Sequence, residues 1–154
     1  MQTHNTFFSD LETGHKAESE VETIFKAKGY DVSGTTKTQV FPDYDMQVAE
    51  CPTCKVYKIE VKDDLLSRAT NNIAIEQYKV DNEGNEVESG LSATKADAWI
   101  VRAKNAFYSI PVNRLKNLLI THYGSYPQII TNDNKCLALL NIDFFVSHAK
   151  LFQY

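Results

Sequence analysis

An aspartate on one β-like segment and an acid-x-lysine triplet on the next are the residues of this chain best suited to chemistry. Asp45 lies in Tyr44 to Ala49, while Glu60 and Lys62 close the apolar segment that begins at Val56, with a turn-like ECPTCK between the two. Alternate side chains of a strand share a face, so Glu60 and Lys62 project together while Ile59 and Val61 turn to the core. A hairpin would then gather Asp45, Glu60 and Lys62. Two carboxylates that hold a divalent cation beside an ammonium are suited to phosphodiester hydrolysis, because the cation activates water and stabilises charge on phosphate oxygens. Mg²⁺ takes hard oxygens and keeps several waters, so Asp45, Glu60 and the carbonyl of Val61 suffice as ligands. Lys62 would orient or help deprotonate the attacking water, with a pKa that falls if desolvation outweighs its partners. The competing reading is a solvated hairpin with both charges facing water.

The elements that must position these residues follow from periodicity. Apolar residues from Leu11 to Lys28 recur at helical spacing and Gly29 stops the run, so a first helix is predicted there, with Thr13 as a cap for its start. Residues 1 to 10 read as a loose arm, or as a dimer contact through Phe7 and Phe8. Tyr30 to Val40, broken by Ser33-Gly34, reads as an edge-like strand. Asp63 or Asp64 is placed to cap a short turn through LLSRAT, and Asn72 to Tyr78 alternates as a fourth strand with Asn72, Ala74 and Glu76 opposite Ile73 and Ile75. Asp81 to Ser89 is an acidic loop. Ser92 would cap a short helix through Asp97, followed by a buried strand at Ala98 to Val101. Two strand-then-helix units close the chain: Phe107 to Ile110 into Val112 to Tyr123, and Leu137 to Leu140 into Asp143 to Leu151. The expected fold is α/β, a mixed central sheet flanked by helices, in a single domain over 1–154.

Gly14-x-x-x-Glu18 on a helix, then Asp45, then Glu60-Val61-Lys62, resembles the PD-(D/E)XK nuclease superfamily, which includes restriction enzymes, Holliday junction resolvases and small phage nucleases. The resemblance covers the first half of the chain. It implies a restriction-endonuclease-like core, Mg²⁺ or Mn²⁺ as cofactor and DNA as substrate. By position, Glu18 becomes the helix carboxylate, Asp45 and Glu60 the metal ligands, and Lys62 the catalytic lysine. Asp43 spells the family's Pro-Asp with Pro42, but Asp45 is preferred on strand register. Glu22, one turn beyond Glu18, competes with it, whereas Glu20 projects elsewhere. NNIAIEQ and SGLSATKADAWIV are similar to segments of small phage-type members. On that reading Glu76 faces the cleft as a further metal ligand, and Ser92, Thr94 and Lys95 contact phosphate at a helix start. A small duplex cutter with one site per chain suggests a homodimer. A non-catalytic DNA- or protein-binding module on the same fold is the alternative.

Cys51-Pro-Thr-Cys54 has the spacing of half a zinc knuckle. Cys136 and one of His4, His15, His122 or His148, or else a second subunit, would have to complete it, and with no second CxxC or paired histidine a reduced, metal-free turn is favoured over structural Zn²⁺. His15 also lies within reach of the metal site from the side of Glu18. Three cysteines in 154 residues fit a reducing compartment. No apolar run approaches the roughly 20 residues that cross a bilayer, and the N-terminus lacks the pattern of a secretory signal. The expectation is a cytoplasmic protein without membrane contact, and the resemblance to small phage nucleases implies one that a phage encodes. The net charge of -4, with lysines and arginines scattered along the chain, argues against tight non-specific binding to nucleic acid.

Overall fold

The computed structural model describes residues 3–34 and 43–153, with the side chains of 3–13 and 66 excepted. Residues 35–42, where most of the predicted edge strand and Pro42 fall, lie outside the described residues. The first helix, α1, spans Thr3–Ala27. It therefore takes in nearly all of the expected arm, and Thr13 lies inside it rather than at its start. Its end is the predicted one: Gly29, at φ +88°, donates to Lys26 O while Tyr30 N donates to Phe25 O at 3.0 Å, and the two rings meet edge to face. This is the left-handed closure that glycine makes without steric cost.

Strands β1 (Asp31–Ser33), β2 (Met46–Ala49) and β3 (Val56–Asp64) follow, then β4 (Asn72–Val80), β5 (Glu86–Val87), β6 (Ala98–Ala103) and β7 (Ala106–Pro111). Helix α2 (Val112–Thr121), β8 (Gln128–Ile130), β9 (Lys135–Asn141), α3 (Ile142–His148) and β10 (Lys150–Phe152) complete the order. The mixed sheet has the order β1-β2-β3-β6-β7-β10, with β3 and β6 parallel and the other neighbours antiparallel. The fold is thus α/β, a mixed sheet with flanking helices, as expected. Two predicted strands depart from that expectation. β4 and β9 leave the central sheet and build an antiparallel second sheet, β5-β4-β9-β8.

Two cores explain the layering. Ala17, Val21, Ile24 and Phe25 of α1 pack on Met46, Val48, Ile59, Val61 and Ile100. The opposite face, through Trp99, Val101 and Ile110, packs against Ile73, Ile75, Ala138 and Leu140 of the second sheet and against α2 and α3 through Leu115 and Phe145. Each fully buried large apolar side chain contributes about 1.5–3 kcal/mol. The parity predicted for KIEVK holds, with Ile59 and Val61 beneath α1. Asp64 caps the turn Leu65–Arg68, accepting from Ser67 N, and its other oxygen accepts from Ala74 N at 2.7 Å, which ties the end of β3 to β4.

Three further boundaries differ from the sequence pattern. The turn at Gly90–Ser92 ends at Ser92, whose hydroxyl donates to Ser89 O, so no helix starts there. Lys150, Leu151 and Phe152 form β10 beside β7 instead of extending α3. Asn141 caps α3 by accepting from Asp143 N and Phe144 N. No helix among the described residues is long and apolar enough to cross a membrane.

Candidate acidic site

β2 and β3 pair with Met46 opposite Ile59, which sets Asp45 just ahead of the register, its amide donating to Ile59 O. The Asp45 side chain turns back to the neighbouring strand and accepts from Val61 N at 2.6 Å. Glu60 and Lys62 project from the other face of β3 and form an ion pair at 2.5 Å. Lys62 Nζ also stands 5.4 Å from the Trp99 ring centroid, so the buried indole forms the floor under the ammonium. Glu18, Asp45, Val61, Lys62 and Glu76 line one open cleft of about 680 Å³, which the β8–β9 hairpin closes with Asp133 and Lys135. Lys62 and Glu76 also line an adjoining hollow of about 300 Å³ with Asp43 and Thr94, and Glu60 opens to this hollow, not to the larger cleft.

Burial sets the electrostatics. It raises the carboxyl pKa of Asp45, an effect that the Val61 amide and Lys62 oppose and Glu18 reinforces. Glu60 is likewise pushed up by burial against the pull of Lys62, with Asp45 and Glu76 adding to the rise. Glu18 is raised by burial while His15, 3.5 Å away, opposes it. For Lys62, burial works against the charge, but Glu60, Asp45 and Glu76 outweigh it and lift the pKa above the ordinary value. The fall in pKa anticipated from desolvation therefore does not occur. Since a raised carboxyl pKa means that the folded chain holds the proton more tightly than the unfolded one, these acids favour the fold at low pH and cost stability as pH rises through their folded pKa values.

The structure also separates the competing acids. Glu22 pairs with Lys26 at 2.5 Å along α1, and Glu20 reaches Arg102, so of these three acids Glu18 is the one at the cleft. Asp43 offers its backbone carbonyl to Lys95 N and Thr94 Oγ1, while its side chain belongs to the smaller hollow. Ser92 faces Ser89 and lies apart from both cavities, and Thr94 and Lys95 follow a turn, not a helix N-terminus. His15 lies 3.5 Å from Glu18, with its side chain half-exposed and outside the cleft lining. Among the described residues, no three His, Cys, Asp or Glu side chains converge closely enough to form a preassembled metal group.

The half zinc knuckle is closed differently. Cys54 N donates to Cys51 O across the Pro52 turn, bringing the Cα atoms to 5.0 Å, and the two sulfurs form a disulfide. This corrects the expectation of a reduced turn, and it removes the thiolates that Zn²⁺ would need. Cys136 is buried in β9 near Gln77 and Gln128, and His122 and His148 stack with Phe144.

Several contributors were not evident from the local pattern. Trp99, Asp63, Asp64 and Lys135 all line the cleft, brought there by the β3–β6 pairing and the second sheet. Gly90 is another: at φ +53° it packs so tightly on β4 that an added Cβ would lie 2.7 Å from Glu76 Cγ and against the Glu76 carbonyl. A register shift at Glu76/Tyr78 bends β4 at the same point, and Ser89 Oγ donates to the Glu76 carboxylate. Gly90→Ala should therefore cost about 1–3 kcal/mol, from strained backbone and displacement of Glu76. Thermal melting tests this; an alanine variant that melts with the wild type would show that β4 yields freely there.

No family model matches the chain, and no curated protein matches it. Among solved structures, it is similar to a bacterial homing endonuclease, I-Ssp6803I, at 20% identity and a TM-score of 0.48 over 65% of this chain and 67% of that one.

Proposed function

We propose that the chain is a metal-dependent endodeoxyribonuclease of PD-(D/E)XK type, a single domain over 1–154 that hydrolyses DNA phosphodiesters at the acidic cleft. The observation that carries this reading is the charge balance there: Glu18, Asp45 and Glu60 are partly or largely buried around one ammonium, and burial raises the pKa of each carboxyl. Such a cluster costs stability unless a cation completes it. The donor set fits Mg²⁺ or Mn²⁺, because these ions take hard carboxylate oxygens and fill remaining positions with water, so that Asp45, Glu60 and the Val61 carbonyl need no preassembled cage. Glu18 and Glu76 stand as outer carboxylates of the same site. When bound, the ion would supply an activated water and charge stabilisation on the phosphate.

The chain's own residues have separable tasks. The Val61 amide holds Asp45 in one orientation, and Glu60 with Trp99 holds the Lys62 ammonium. Because its carboxylate neighbours lift its pKa, Lys62 keeps its proton at neutral pH and acts as a fixed positive donor toward a phosphate oxygen, rather than as the base that deprotonates water. A double-strand cut by a chain with one such site calls for two copies, so a homodimer on duplex DNA belongs to the proposal.

The test is cleavage of supercoiled plasmid and of a synthetic four-way junction in Mg²⁺, Mn²⁺ or EDTA. Cutting in both metals and none in EDTA is the expected outcome. Duplex binding without cutting in any metal would overturn the enzyme reading in favour of a non-catalytic binding module.

A further inference from the structure

We infer that a basic groove beside the acidic cleft carries the sugar–phosphate backbone of duplex DNA toward it, an assignment that rests on the nuclease reading of that cleft. The groove, of about 810 Å³, is lined by Lys55, Lys95, Arg114, Lys116 and Lys150 and by one carboxylate, Asp97. Asp97 is already committed: its Oδ2 accepts from Lys58 N, and its backbone fixes the start of β6. Five of the 16 lysines and arginines thus converge on one face of a chain whose net charge is -4. Among the described residues, none of the five is in an ion pair with a carboxylate.

Topology makes this surface, not sequence clustering. The cations come from the turn just before β3, the loop before β6, helix α2 and strand β10, which is why they look scattered along the chain. Unpaired surface cations in a concavity focus positive potential, and a phosphate backbone is the partner that releases counterions on meeting it. The groove reaches the site at Thr94, which also lines the hollow shared by Asp43, Glu60 and Lys62. A backbone lying along the groove is therefore delivered to the ammonium and carboxylates of the cleft. Duplex is favoured over single strands because the exposed aromatic of the lining, Tyr57, is covered by Lys55 Nζ at 4.9 Å, which leaves it unsuited to stacking unpaired bases.

Anisotropy of a labelled duplex in EDTA, over a salt series, tests the assignment. Replacing Arg114, Lys116 and Lys150 together by Gln should weaken binding about tenfold to a hundredfold at low salt and flatten the log–log salt slope by about 2–3. A matched triple, Lys26→Gln, Lys28→Gln and Lys104→Gln, should leave the slope near that of the wild type. Equal slopes for both triples, or tighter binding of a single strand of the same length, would overturn the proposal. If the first triple melts early, Lys55→Gln with Lys150→Gln gives the same reading from strand ends. The two readings fail differently: cutting that persists with an unaltered salt slope sinks the groove alone, whereas groove-dependent duplex binding without cutting in Mg²⁺ or Mn²⁺ sinks the nuclease alone.

Discussion

Replacing Asp45 by Asn or Lys62 by Met is expected to lower metal-dependent DNA cleavage about a hundredfold to ten-thousandfold while leaving the chain folded. The two substitutions act through different physics. Asp45→Asn keeps an oxygen for the Val61 amide, from which Asp45 now accepts at 2.6 Å, so the strand pairing survives while the charge that draws a cation is lost. Its defect should therefore lessen as Mn²⁺ or Mg²⁺ is raised. Lys62→Met keeps an unbranched chain of similar length beside Trp99 but loses the ammonium that pairs with Glu60 at 2.5 Å. On the proposed role of the ammonium as a donor to the phosphate, more metal should not restore it. Initial rates across a metal titration separate the cases, with melting curves as the control on folding. Rates within tenfold of the wild type for both variants would mean that the cleft is not the reacting site.

The sequence displayed the parts of this arrangement that depend on local periodicity. Alternation in KIEVK placed Glu60 and Lys62 on one face and Ile59 and Val61 on the other, and alternation in NNIAIEQ did the same for Glu76. Gly29 marked the end of α1 because a left-handed residue is needed there. What the sequence hid is what depends on distant pairing. β4 has the pattern of any half-buried strand, and nothing local says that β9 rather than the central sheet is its neighbour. Leu151 lies in register with the apolar positions of α3, so the switch to β10 is decided by the free edge of β7 and not by propensity. The groove cations are up to 95 residues apart in numbering, from Lys55 to Lys150, so no window along the chain could show them together. Gly90 reads locally as a turn residue, and only its packing on Glu76 shows why a side chain is excluded.

Arg102 should matter greatly for stability: Arg102→Met is expected to cost about 3–5 kcal/mol at neutral pH, because it strands a buried carboxylate. Arg102 is nearly buried inside an otherwise apolar strand, with its guanidinium over the Phe107 ring. It reaches Asp63 at 3.4 Å on β3 and Glu20 on α1. The Asp63 side chain is 4% exposed, and neither of its oxygens makes a hydrogen bond, so Arg102 is its principal compensation. Burial already raises the Asp63 pKa, with Arg102 and then Arg68 opposing the rise. Without Arg102 the rise is larger, and the sign of the pH dependence follows: the folded variant binds the proton more tightly than the unfolded chain, so its stability increases as pH falls and is lost as pH rises through the folded pKa. The deficit should accordingly be largest where Asp63 is ionised and shrink on acidification, and Asp63→Asn added to Arg102→Met should recover part of it. At about 2–4 °C per kcal/mol, the neutral-pH loss is roughly 6–20 °C in melting temperature. A variant within a degree of the wild type would show that Arg102 compensates no charge on Asp63, and a deficit that grows on acidification would overturn this account of the pair. The triad also connects stability to the site, since Asp63 adjoins Lys62 and Glu20 lies two residues from Glu18. Loosening it should let α1 shift against β3, so cleavage by Arg102→Met at a temperature where it is still folded should fall chiefly in kcat, as misplaced carboxylates would require.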